Sequence, residues 1–499
     1  MILNETTEPI SIAEKLKEVL KHSLIYGLAS SMQSLVGFLL LPLLTTYYST
    51  ELFGVYSIIL LVSTLAGGVF YLGGTSALGR YYFEDDTREY RSKIVSTAIF
   101  ITMAGAFLLI GIALLTGSIL SNWLFSTSIY SSAVILSLAG AAAVFLFNIM
   151  TLIVKYEKKS ILFFAVSIGV FLLNFSITYV LLTKLDFGIL APIYGLLVAN
   201  LIGFVVLFIL YRDLLTLKPK ILYFSLLLKF GLPSLVIGLL FYILDWVDRL
   251  IIKDLVGLSQ VGIYSLGYRL GSAINIIFVI PFALIWAPIR MEYLKQENTD
   301  EFMTKVVSYY SIVGMSIVFI SILFGREVIS LVFHNRDYAP AARVFPIVML
   351  SILFYGYQNI LDFGIYLHKK LHYYMVVASA GIIVNVVLNF LLIPHFGYIA
   401  AAYVTFLTYL FTSSFIHLVS IRYHRIKLER SRIVIPFVFL SLSYFVANVN
   451  TSHWYWDVGV RLVLVLFAAI GFYFLWLEDQ ERINLGRGIR KVFSYSVAK

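Results

Sequence analysis

The stretch Glu51-Leu52-Phe53-Gly54-Val55-Tyr56-Ser57 joins two long apolar runs, and Val261-Gly262-Ile263-Tyr264-Ser265 stands in the same setting 208 residues further on (Gly54 to Gly262). Other echoes fall at nearly the same offset. Lys158-Lys159 precede one apolar run and Lys369-Lys370 another, which places Asn174 on Asn385, while Arg80 and Arg290 each close a run. Together they mark the duplication of a unit of six membrane spans. Six is even, so both copies enter the membrane from the same side, as in transporters built from parallel repeats with a substrate site between the halves.

The apolar runs themselves settle the class. Of 499 residues, 60% are hydrophobic and 13% charged, against about 45–50% and about 25% in soluble chains. The runs are continuous rather than alternating, which means helices and not a barrel. About 20 apolar residues cross a bilayer. On that length the sequence predicts fourteen spans, at 23–46, 55–77, 94–119, 131–153, 161–183, 189–210, 231–252, 261–288, 306–324, 344–366, 372–393, 398–421, 433–448 and 459–477. The expected organisation is a cytoplasmic segment 1–22, an N-lobe 23–215, a C-lobe 225–421, two extra spans within 433–477 and a tail 478–499.

Charge then sets the expected orientation. Counting Lys and Arg on alternate sides of these spans puts 29 on the side of both termini and 7 on the other, with Arg269 inside span eight. By the positive-inside rule both termini are cytoplasmic. The net charge of +10 is therefore a signature of cytoplasmic loops rather than of nucleic-acid binding. The first 22 residues do not read as a cleavable signal peptide. No GxxxxGK[ST] motif, HExxH motif or cysteine occurs, and no connection has room for a catalytic or nucleotide-binding domain. These features describe a secondary transporter rather than an enzyme.

Charges inside spans are costly and usually face a cavity or a partner. Arg269 is the most deeply placed cation. With Arg80, Arg290, Lys229 and Arg249 it could line a basic cavity for a phosphate-bearing substrate, although Arg80, Arg290 and Lys229 also suit span-end anchors. Asp245 and Arg249, four apart on span seven, read as an intrahelical pair; alternatively Asp245 or Asp248 serves a cation. Asn385 and Asn389 share a face of span eleven. With Asp245 and Thr405 they would make a Na⁺ cage, or else they hydrogen-bond between helices. Asp362, Gln358 and Asn359 form a polar cluster in span ten, and Gln33 with Ser30 and Ser31 makes one face of span one polar. Pro42, Pro233 and Pro281 are expected kinks.

The segments Leu41-Pro42-Leu43-Leu44-Thr45-Thr46, Glu51 to Ser57, Lys229-Phe230-Gly231-Leu232-Pro233, Asp248-Arg249 and Gly262-Ile263-Tyr264-Ser265 resemble polysaccharide (O-antigen type) flippases. The superfamily also holds lipid II flippases and multidrug extruders. The resemblance implies two six-helix lobes arranged as a V, plus two C-terminal helices, working by alternating access in the cytoplasmic (inner) membrane. The implied substrate is an undecaprenyl-diphosphate-type lipid-linked oligosaccharide, with polysaccharide polymerase or assembly proteins as further partners. No organic cofactor is implied, and Na⁺ or H⁺ would be the coupling ion. In lipid II flippases a Na⁺ site resembles Asp245, Asn385, Asn389 and Thr405, with an acid where Asn389 stands here. Those flippases also carry an Arg–Asp pair where this chain has Ser30, Ser31 and Gln33, which argues against lipid II as substrate. A cation-coupled small-molecule extruder of the same fold is the alternative, and a membrane glycosyltransferase the reading from another class.

Overall fold

The computed structural model describes residues 37–216, 221–293, 299–370, 372–424, 430–447 and 454–476. Among them every regular element is a helix. In the first half these are α1 (Gly37–Tyr47), α2 (Thr50–Phe70), α3 (Gly74–Tyr81), α4 (Arg88–Phe125), α5 (Ser131–Tyr156), α6 (Ser160–Thr183) and α7 (Leu190–Leu210). The second half holds α8 (Ile221–Val256), α9 (Leu258–Gly271), α10 (Ile280–Tyr293), α11 (Thr299–Val332), α12 (Phe345–Leu361), α13 (Phe363–Leu367), α14 (His372–Phe396) and α15 (Tyr398–Ser420). The extra pair is α16 (Arg430–Ala447) and α17 (Trp454–Gly471).

Eleven helical segments among the described residues are long and apolar enough to cross a membrane, and three shorter apolar helices accompany them. The fourteen coincide one for one with the expected spans; the first is described only from Gly37. Several helices outrun the apolar windows. The expected span 94–119 is the interior of the 38-residue α4. The polar end of α4 is held by the Thr87 cap on the Tyr90 amide and by the Glu89–Lys93 ion pair. The helix α11 starts at Thr299, where Glu301 and Lys305 pair at 2.9 Å. Hydropathy cannot see such ends, because i,i+4 pairs support helix in water.

The duplication is written into the backbone. Lys158 and Lys369 both sit in the left-handed region at φ +57°. The amide of Lys159 bonds the Val154 carbonyl at 3.1 Å, and that of Lys370 bonds Ile365 at 2.9 Å. These are the same helix-ending turn in both copies. Span two breaks between α2 and α3, and span eight breaks between α9 and α10. The second break contains a π-helical turn at Asn275–Val279, directly before Pro281, whose missing N–H cannot continue the α-helical ladder. By contrast α8 runs unbroken through Pro233. Within the first lobe α5 packs between α4 and α7, and α7 also packs on α6; in the second α15 packs on both α12 and α14, and α16 packs on α11.

Two glycine pairs bring the lobes together. A Cβ on Gly54 would lie 2.0 Å from the Leu258 carbonyl oxygen, and one on Gly262 would lie 1.8 Å from that of Thr50. The repeated motifs therefore lie against each other where α2 meets α9. At the other contact, between the α2–α3 turn and α8, a Cβ on Gly73 would lie 2.1 Å from the Gly231 carbonyl oxygen. Such backbone-to-backbone approach is how helices associate where water supplies no driving force.

Candidate functional site

At the α2–α9 seam the first lobe offers aromatic rings and the second offers cations. Two residues beyond Gly54, Tyr56 is buried. The Arg269 guanidinium reaches over from α9, 5.7 Å from the ring centres of both Phe53 and Tyr56, with the Tyr56 hydroxyl beside it. No carboxylate among the described residues pairs with Arg269. Another cation, Arg249, is close enough to repel it.

Arg249 is differently provided for. It is 2% exposed and pairs with Asp248, equally buried, at 3.1 Å. Its guanidinium lies 4.1 Å from the Tyr268 ring centre and 4.4 Å from that of Trp246, and Tyr264 donates its hydroxyl to Asp248. In the structure Arg249 pairs with its chain neighbour Asp248; the expected partner Asp245 has its side chain outside the described residues. The backbone of Asp245 lies in α8, and Gln33 also lies outside the described residues.

Behind this pair lies an amide and hydroxyl layer. Tyr264 also hydrogen-bonds Thr405 on α15. One turn along the same face, Thr408 accepts from Asn385 Nδ2 at 3.3 Å, and Asn385 Oδ1 accepts from Asn389 Nδ2 at 2.9 Å. Asn385, Asn389 and Thr405 are all buried, and Asn389 Oδ1 has no hydrogen-bond partner among the described residues. An orphaned buried oxygen beside further amide and hydroxyl oxygens fits an alkali cation. Asp248 is already engaged by Arg249 and Tyr264, so any anionic ligand has to come from elsewhere.

The remaining predicted residues lie apart from this seam. Arg290 pairs with Asp362 at 2.7 Å and stacks 4.0 Å over Tyr366, and Tyr374 donates to Asp362. Asn359 contributes its carbonyl, which accepts from Trp286 Nε1 at 2.7 Å and Arg290 at 3.2 Å. Gln358 donates to Thr412 at 2.9 Å. This cluster ties α10, α12, α14 and α15 together. Arg80 is exposed and pairs with Glu84 at 3.2 Å, and Lys229 is exposed on α8. The residues missed in the sequence are the aromatic ones, Phe53, Tyr56, Trp246 and Tyr268. Two of them, Phe53 and Tyr56, stand inside the repeated motif, which was the available signal.

Two repeated lobes of membrane-spanning helices, with cations and aromatic rings gathered where the lobes meet, define a membrane transporter fold. Residues 19–294 match the family described as polysaccharide biosynthesis protein, and the chain belongs to that family. No curated protein matches the sequence. Among solved structures, the fold is similar to "Lipid II flippase MurJ, inward closed conformation", with TM-score 0.70 and 15% identity over 90% of this chain and 99% of that one. It is also similar to an inward-facing multidrug resistance MATE family transporter of the MOP superfamily, with TM-score 0.61, 14% identity and coverage of 84% and 96%. An outward-facing transporter of that kind matches with TM-score 0.56, 13% identity and coverage of 85% and 96%. The chain is thus a multi-pass membrane protein with the fold these transporters share.

Proposed function

We propose that the protein carries an isoprenoid-diphosphate-linked oligosaccharide from the cytoplasmic to the outer leaflet of the cytoplasmic membrane, for cell-surface polysaccharide assembly. The observation that carries this reading is Arg269, a cation with no carboxylate partner among the described residues, at the contact between the lobes. A diphosphate entering hydrocarbon bare faces a penalty of tens of kcal/mol. A guanidinium fork that no carboxylate neutralises is suited to offset it. The Tyr56 ring and hydroxyl hold the fork in place while the isoprenoid chain stays in the bilayer. Membership in the polysaccharide biosynthesis family supports a sugar-bearing cargo, and the likeness to a lipid II flippase supports a lipid-linked one.

The same reading puts both termini in the cytoplasm, on the 29-to-7 distribution of Lys and Arg. It takes a cation, Na⁺ or H⁺, as the source of energy. Each elementary charge crossing 100 mV supplies about 2.3 kcal/mol, and the Asn385–Asn389–Thr405 layer is the place where Na⁺ would bind. Polymerase and assembly proteins would take the product. The protein makes and breaks no covalent bond in this scheme.

The test is translocation of a fluorescent undecaprenyl-diphosphate oligosaccharide in proteoliposomes, with and without a Na⁺ gradient. Wild-type transport that Arg269→Ala abolishes supports the proposal. Transport equal in both proteins removes Arg269 from the mechanism, and absence of transport by folded wild-type protein across several sugar lengths overturns the lipid-linked cargo.

A further inference from the structure

Away from the lobe seam a cavity of about 840 Å³ opens between α11, α12, α15, α16 and α17. Its volume falls in the range of ligand sites, roughly 300–1,000 Å³. The walls are apolar: Ile322, Leu350, Phe406, Phe437 and Leu440 face into it. Its helices are membrane spans, so walls of this kind suit hydrocarbon.

The same cavity carries three arginines, Arg326, Arg343 and Arg461. Arg461 is 2% exposed and pairs with Glu327, yet among the described residues its Nε and Glu327 Oε2 find no hydrogen-bond partner. Arg343 is exposed and forms no ion pair among the described residues; Arg326 is exposed beside it in the lining. Among the described residues no acidic side chain lines the cavity, and Glu327, paired with Arg461, offsets one of its three charges, so the lining is net cationic.

Arg326 and Arg461 sit close in depth, because Arg461 pairs with Glu327, the residue next to Arg326, and Arg343 shares the lining. Tyr403 and Tyr444, hydrogen-bonded to each other, stand in the same lining, and tyrosine is enriched where bilayer meets headgroups. Apolar depth, a cationic rim and tyrosines between them match one kind of molecule. Basic pockets between membrane helices bind anionic lipid headgroups, whereas a free anion would gain nothing from the walls.

We infer that this cavity is a binding site for an anionic glycerophospholipid of the bilayer, with one acyl chain along α11, α12, α15 and α16 and the phosphate on the arginines. The site is separate from Arg269, and the inference stands or falls independently of the transported substrate.

Native mass spectrometry of the full-length protein in detergent tests it, with palmitoyl-oleoyl phosphatidylglycerol and the matching phosphatidylcholine as probes. The wild type is expected to retain one phosphatidylglycerol in preference to phosphatidylcholine by about fivefold or more, given about 1 kcal/mol per basic residue near a lipid headgroup. The double variant Arg326→Gln/Arg343→Gln should bring the two lipids to parity. Ser441→Trp, which places an indole from an exposed position into the cavity, should reduce retention of both. All the altered residues are exposed, and a monodisperse elution profile certifies folding. Equal retention of the two lipids by wild type, or a preference unchanged in both variants, overturns the inference. Displacement of the bound lipid by millimolar inorganic phosphate would make the site one for free anions. Displacement by an equal concentration of undecaprenyl phosphate would assign it to polyprenyl lipids instead, and either result also refutes the glycerophospholipid.

Discussion

Three side chains define the chemistry of the seam, and each predicts a different response. Arg269 reaches from α9 to the Tyr56 hydroxyl and two rings of α2. A lysine there keeps the charge but loses the planar fork. Arg269→Lys should therefore retain a fraction of transport, while Arg269→Ala retains none in the proteoliposome assay. Asp248 is a stability residue, because it holds Arg249 in the helix interior at 3.1 Å. Removing one partner of a buried pair costs about 3–5 kcal/mol, whereas replacing both with apolar groups is often neutral. Asp248→Asn should lower the melting temperature more than the double change Asp248→Leu/Arg249→Leu, as read by thermal unfolding in detergent. Asn389 keeps an unsatisfied buried oxygen. If Na⁺ uses it, Asn389→Leu should abolish any Na⁺ stimulation of transport while leaving the protein folded; stimulation that survives would assign the ion elsewhere. Arg269 stands out in the sequence because a cation deep in an apolar run is conspicuous. Its partner Tyr56 does not, because the contact joins residues far apart in the chain through the rotation of two helices. Arg290 and Asp362 are each visible as charges, but their pairing across 72 residues is not.

At the level of helices, the decisive contact is α2 against α9. Thr50 and Ser259 hydroxyls meet there at 2.7 Å, next to the Gly54 and Gly262 approach. The chain has no cysteine, so Thr50→Cys/Ser259→Cys introduces a lone pair in a clean background. Oxidation should form a disulfide, block transport, and be reversed by reductant. Adding Gly262→Leu should suppress that disulfide, because a Cβ at 1.8 Å from the Thr50 carbonyl oxygen forces the helices apart. Efficient cross-linking in the Gly262→Leu background would show that the close approach is not needed. Tyr338, in the 3₁₀ segment Arg336–Arg343, ties the same end together by donating to the Tyr48 and Ser49 carbonyls at 3.1 and 3.0 Å. The apolar windows locate these helices but miss their polar extensions, since capping and i,i+4 pairs add helix that hydropathy does not register.

For the whole molecule, the duplication explains the reciprocal contact of α2 with α9, where Thr50 and Gly54 stand 208 residues before Leu258 and Gly262. A parallel repeat places corresponding helices face to face about one axis, and the glycine of each copy lands against the backbone of the other. The proposed orientation follows from the lysine and arginine distribution. Reporter fusions after residue 215 or residue 424 should read as cytoplasmic, and fusions after residue 185 or residue 335 as extracytoplasmic. Any exchange between these groups would break the even span count on which the orientation rests.

By itself the sequence determines that this is an all-helical membrane protein with fourteen apolar segments in two copies of six plus two, because length and continuity of hydrophobic runs are local properties. It also marks the charged residues that need explaining. Tertiary structure alone decides which of them meet: Arg249 with the Tyr264 and Tyr268 rings of α9, Arg290 with Asp362, Arg269 with Tyr56 and no carboxylate among the described residues. The reason is physical. Burial cost is paid per residue and can be read along the chain, but its compensation depends on partners that only the rotation and approach of separate helices bring within a few ångströms.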